Sequence, residues 1–177
     1  MSIPLDPASL VMRRRLLAAG IGLLLFLSLV IPHVGIQDQT GPGRSLLPAG
    51  AYFLNVQAAA FGPAASSALA FALNVTYLGI ALHQFGLLLA LVTFWIVAAE
   101  DINRWLWRMM VVAGWLLAVG AVISVVGGVL IGAAGVPALL GYAWLPALVA
   151  GVALIISARR ARDRIDYSWF PAKPELQ

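Results

Sequence analysis

A chain of 177 residues that is 62% hydrophobic and 10% charged cannot cover itself with polar surface as a soluble domain does, where about 25% of residues carry charge. The absence of cysteine excludes disulfides, thiolate metal sites and cysteine-ligated iron–sulfur clusters. The net charge of +4 sits on arginines beside apolar stretches, where basic groups anchor topology and meet anionic lipid, so nucleic acid is not an expected partner.

About 20 apolar residues cross a hydrocarbon core of about 30 Å, and helices satisfy their own backbone groups there. The pattern therefore predicts an all-α polytopic integral membrane protein with four transmembrane helices and both termini cytoplasmic. Residues 1–15 form a cytoplasmic N-terminal segment, 16–158 the four-helix transmembrane domain with an extracytoplasmic loop near 35–63, and 159–177 a cytoplasmic tail.

The first span follows Arg13, Arg14 and Arg15 and covers residues 16–34. It has the basic flank of a signal peptide, but the apolar run is long and no small-x-small cleavage site follows His33, so it reads as a retained span. Residues 35–50, with Gln37, Asp38, Pro42, Gly43 and Pro48, form an irregular loop. The Ala-rich stretch 51–69, interrupted by Gly62 and Pro63, reads as an interfacial helix, a re-entrant segment or an extension of the next span.

The second span falls within residues 64–99 and is assigned as one long helix whose outer end projects. The alternative is a break at His83, Gln84, Phe85 and Gly86. Charge returns at Glu100, Asp101, Arg104 and Arg108, interleaved with Trp105 and Trp107 as an inner interface. If the helix continues there, four-residue spacing lets Arg104 neutralise Glu100. A third span over 110–131, a turn over 132–137 and a fourth span over 138–157 follow, with Pro146 expected to bend the last helix. Four crossings place Arg13 to Arg15, Arg104 with Arg108, and the cluster Arg159, Arg160, Arg162 and Arg164 on one side, which the positive-inside rule makes cytoplasmic.

His83 is the prominent polar residue of the spans. An intramembrane imidazole can ligate haem, bond to a quinone, transfer a proton or simply bond to another helix. Gln84, Asn74 and Tyr77 are the residues expected to share a cofactor site with it, haem b or a quinone being the candidate groups, while Asn55, Gln57 and Thr76 extend the polar set. His33, near the outer end of the first span, is read as an interface residue and not as the second ligand of a bis-histidine haem. The sequence assigns no metal.

Gly128 and Gly132 make a GxxxG motif suited to close helix contact, either within a hairpin of the last two spans or against a partner helix. Tyr167, Trp169 and Phe170 give the tail an interface with a neighbouring subunit. No Walker loop, Rossmann fingerprint, HExxH, carboxylate pair or serine elbow is present, and no carboxylate lies inside a span. The expectation is a non-catalytic accessory or assembly subunit of a larger respiratory or photosynthetic membrane complex, with other integral membrane subunits and lipids as partners. The alternatives are a redox-associated subunit binding haem or quinone through His83, and a small carrier or channel.

Overall fold

Proline at the first position of a helix loses nothing, because that position has no intrahelical acceptor for an N–H. Helix α1 of the computed structural model accordingly runs Pro7–Val30, and it ends ahead of Pro32, which disfavours helical backbone in the residue before it. The structure describes residues 7–31, 34–36, 44–45, 67–99, 102–135, 138–140, 142–162 and 165–166. Helix α2 spans Ser67–Thr93 and tightens into a 3₁₀ turn, Phe94–Ala98; α3 spans Arg104–Ala133 and α4 Trp144–Arg160. They form an all-α four-helix bundle in which α3 packs against both α2 and α4, while α1 leans on the 3₁₀ turn and α4.

Short strands tie the two ends. β1 (Val34–Ile36) pairs antiparallel with β2 (Arg44–Ser45), and β3 (Ile102–Asn103) pairs parallel with a strand beyond α4. β4 (Ala138–Leu140) adds to the other edge of β1, so that Gly35 faces both Ser45 and Leu139. β5 (Ile165–Asp166) is the partner of β3, with Ile102 opposite Ile165. One end of the bundle thus joins the chain after α1 to the α3–α4 connection, and the other joins the α2–α3 connection to the chain after α4.

Several boundaries differ from the sequence expectation for local reasons. α2 is continuous through His83, Gln84, Phe85 and Gly86, which overturns the broken alternative and leaves the single long helix. Residues 138–140 are a strand and not the start of the fourth helix. That helix begins at Trp144, and Pro146 falls in its first turn, where a missing N–H costs no hydrogen bond; the proline marks a helix start instead of a bend. Between α2 and α3 the helix does not continue: Ala99 is extended and Asn103 caps α3 by accepting from the Trp105 N–H at 2.8 Å. The continuous helix expected to carry Glu100 and Arg104 on one face is thus interrupted, and Glu100 and Asp101 lie outside the described residues. At the far end of α3, Gly135 takes a φ of +84°, the left-handed conformation that closes a helix at little cost only with glycine.

The main core is small-grained. Ala18, Ile21 and Leu25 of α1 meet Leu87 and Ala90 of α2, Ala113, Leu117 and Ala121 of α3, and Ala147, Ala150, Leu154 and Ala158 of α4. In α1 the buried positions Ala18, Ile21, Leu25 and Ser28 step by three and four, a narrow seam. In α3 paired neighbours such as Ala113 with Gly114 and Gly120 with Ala121 are buried, as a helix with two partners requires. Among the described residues two stretches, Ser67–Ala98 and Arg104–Ala133, are long and apolar enough to cross a membrane, and in each the most apolar window is only 44% buried within the bundle. Outward faces carry Phe26, Phe71, Phe85, Leu88, Trp95 and Trp115, each more than half exposed.

Glycine sets the spacing of α2 and α3. A Cβ on Gly79 would collide with the Ser124 backbone, and one on Gly127 with the Thr76 backbone and hydroxyl. One on Gly120 would lie 2.5 Å from the His83 nitrogen, and one on Gly86 2.7 Å from the Leu117 nitrogen. Each step up α2 from Thr76 through Gly79 and His83 to Gly86 is a step down α3 from Gly127 through Ser124 and Gly120 to Leu117. The pair is thus locked in one antiparallel register with backbones in contact. Gly114 and Gly151 do the same for α3 and α4, each Cβ falling within 2.9 Å of the other's carbonyl oxygen.

Substitution should separate these contacts from ordinary helical glycines. Gly120→Leu should lower stability by about 3 kcal/mol or prevent folding, as overpacking against backbone does. Gly20→Ala, where nothing lies within 4 Å of the added atom, should be neutral or raise stability by about 0.5–1 kcal/mol. Thermal unfolding of the two purified variants checks both.

Candidate functional site

His83 is carried by the glycine seam: its backbone is pressed against Gly120, so the imidazole leaves α2 toward the remaining side, where α1 passes. There Nε2 lies 2.6 Å from Ser28 Oγ, and both residues are 0% exposed. In one tautomer the serine hydroxyl donates to a bare Nε2, and in the other Nε2–H donates to the serine oxygen. A hydrogen bond between buried polar groups is costly to break, because the remaining member stays desolvated. The contact is buried far from Arg13: Ser28 is about 22 Å from it along α1, at about 1.5 Å per residue, and two residues before the end of that helix, while His83 lies in the middle part of α2.

Three further buried hydroxyls are satisfied within their own helices. Thr76 Oγ1 donates to the Ala72 carbonyl at 2.9 Å, Thr93 Oγ1 to Leu89 at 2.7 Å, and Ser124 Oγ to Gly120 at 2.7 Å. Trp107 is different. Its Nε1–H donates across to the Ala158 carbonyl at 2.8 Å, so a tryptophan expected in an interfacial belt pins the start of α3 to the end of α4.

The residues expected to share a site with His83 fall on several faces of α2. Asn74 is exposed and lies nine residues away, about 180° around the helix, on the opposite face. Thr76, seven residues away, shares the buried face, whereas Tyr77 and Gln84 are half-buried on flanking faces. Asn55, Gln57 and His33 lie outside the described residues, as do Tyr167, Trp169 and Phe170 of the tail. Of the GxxxG pair, Gly128 is buried in α3 and Gly132 is exposed with nothing within 4 Å of a Cβ built there. The close contacts of α2 with α3 fall on Gly79, Gly86, Gly120 and Gly127, spaced by seven on each helix.

Ser28 is the residue that the sequence reading missed. Its signal was its isolation, as the one polar side chain in the apolar run of residues 16–31. Among the described residues no group of three or more His, Cys, Asp or Glu side chains is placed to hold a metal ion. A haem iron that took Nε2 of His83, or a quinone carbonyl that accepted from Nε2–H, would compete with Ser28 for that nitrogen. The arrangement as it stands is a buried two-residue polar tie between α1 and α2. Compared with known proteins, the chain matches no family model, no curated protein and no solved structure.

Removing the tie from both sides should cost less than the two single removals added together. Ser28→Ala alone should destabilise by about 1–3 kcal/mol, and the double variant Ser28→Ala, His83→Leu by less than the sum of the two single changes. Denaturation of all three variants, analysed as a double-mutant cycle, checks the coupling.

Proposed function

We propose that this chain is a multi-pass protein of the cell membrane, with four crossings and both ends of the sequence cytoplasmic, acting as a non-catalytic accessory or assembly subunit of a larger membrane complex, respiratory or photosynthetic in kind. The observation that carries this reading is where the bundle spends its surface. Its interior is consumed by glycine and alanine contacts between helices, while large apolar side chains on α1, α2 and α3 face outward. Such faces suit lipid and the helices of other subunits, for which packing and small polar contacts supply the association energy. In α2 and α3, of 27 and 30 residues, the helical length of about 40–45 Å exceeds a hydrocarbon core of about 30 Å, so these two tilt or project. α1 carries Arg13, Arg14 and Arg15 in its first half, which anchor at the interface by extending toward water.

A second reading draws on the buried Ser28 and His83 pair: a redox-associated role in which His83 holds haem or bonds to a quinone, Ser28 yielding Nε2 when the group binds. A carrier or channel is less favoured, since α2 and α3 leave no path along their seam, where backbone meets backbone.

Topology and partnership are separately testable. The chain has no cysteine, so Ser45→Cys should be labelled by an impermeant maleimide in intact cells and Ser9→Cys only after lysis; the reverse pattern would invert the topology. Extraction in mild detergent should retain larger membrane subunits with the chain, and recovery as a functional monomer would sink the accessory reading. For the redox reading, His83→Ala in the intact complex should abolish an absorption band or lower quinone turnover; an unchanged spectrum and rate reject it.

A further inference from the structure

At the end of the bundle where α1 begins and α4 finishes, Arg13 and Arg14 of α1 and Arg160 of α4 line a single cleft of about 320 Å³. Its other walls are Leu10 and Leu17 of α1, Val97 of the 3₁₀ turn and Ser157 of α4. Among the described residues no carboxylate lines it. The three arginine side chains bring like charge to one opening, and an anion held among them relieves their mutual repulsion. Guanidinium forks match the paired oxygens of a phosphate better than they match a halide or a lone hydroxyl.

The apolar part of the wall decides between kinds of anion. Val97 and Ser157 close the inner side, 2% and 5% exposed, whereas Leu10 and Leu17 are left outward on the α1 flank with Met12 and Leu16 beside them. A free inorganic anion uses the arginines and leaves the leucines unused; an anion that carries acyl chains uses both. We propose that this cleft binds the phosphodiester head group of an anionic phospholipid, its acyl chains lying along the exposed leucines of α1. The assignment rests on the membrane reading above and adds to it a defined lipid site joining α1 to α4.

The test uses the full chain in mild detergent, titrated with phosphatidylglycerol, phosphatidylcholine or inorganic phosphate and read by native mass spectrometry. Wild type should retain phosphatidylglycerol in preference to phosphatidylcholine. Arg160→Gln should weaken that binding by about fivefold, and Arg13→Gln, Arg14→Gln, Arg160→Gln together by about 100-fold, from the usual worth of a basic group beside anionic lipid. Arg15→Gln with Arg159→Gln, exposed at the same end but outside the cleft lining, should change it far less. Equal loss in that control pair would mean diffuse surface charge and overturn the site, as would equal retention of the two lipids. Displacement of the lipid by an equal concentration of inorganic phosphate would overturn the lipid assignment. Because Arg160→Gln alters a single exposed side chain, it keeps the test decisive if the triple variant fails to fold. Release of the chain from membranes by alkaline carbonate would defeat the membrane reading, whereas a chain that stays in the bilayer without lipid preference defeats only this one.

Discussion

The backbone contact between α2 and α3 is the constraint on which the rest of the bundle depends. Helices normally meet through interlocking side chains at axial separations of about 8–10 Å. Here Gly79 and Gly86 on one helix, and Gly120 and Gly127 on the other, remove the side chains that would hold the axes apart. Register follows at once, because a slip by one turn would drive Thr76, His83 or Ser124 into a position that only a missing side chain can occupy. With that hairpin fixed, Gly114 and Gly151 bring α4 onto the other side of α3, and α1 closes over the 3₁₀ turn and α4.

This economy has a consequence for solvent. Under the membrane reading, lipid tails are as apolar as leucine, so burying leucine between helices gains little and the drive to associate must come from close packing and polar ties. The bundle is composed in that way: alanine and glycine dominate the interfaces, while phenylalanine, leucine and tryptophan point outward. Polar ties cross between helices where Ser28 meets His83, at the far end of α1, and where Trp107 meets the Ala158 carbonyl, near the arginine-bearing end.

Helix number and the unbroken second helix were legible because long apolar runs and returning charge are properties of composition, which survives any rotation of the helices. The seam was harder to read. The sequence draws the eye to Gly128 and Gly132 because GxxxG is a known packing spacing, yet the contacts use glycines seven apart on both helices, a pattern visible only when the two runs are compared in opposite directions. Ser28 was hidden for a related reason, since nothing local to residues 16–31 indicates which distant helix a lone hydroxyl meets. Asn74 was misplaced by nearness in sequence, nine residues being half a revolution out of phase. The strands at 34–36 and 138–140 were missed because an apolar run of three residues before a helix does not differ in composition from its first turn.

α1 shows how much a few polar points can decide. Its buried seam is narrow, and most of its surface faces outward, so apolar packing fixes its angle less firmly than it fixes the α2–α3 hairpin. What specifies its height is Ser28 on His83 near one end, and near the other the cleft in which Arg13 and Arg14 come beside Arg160 of α4. The two points lie about 22 Å apart along the helix. Mechanical coupling between them passes through α1 as a rigid rod, tilting or sliding against the seam of Ala18, Ile21 and Leu25. A change at the arginine end that leaves the Ser28 bond intact therefore identifies α1 as pivoting on that bond, and one that breaks it identifies α1 as moving along its own axis.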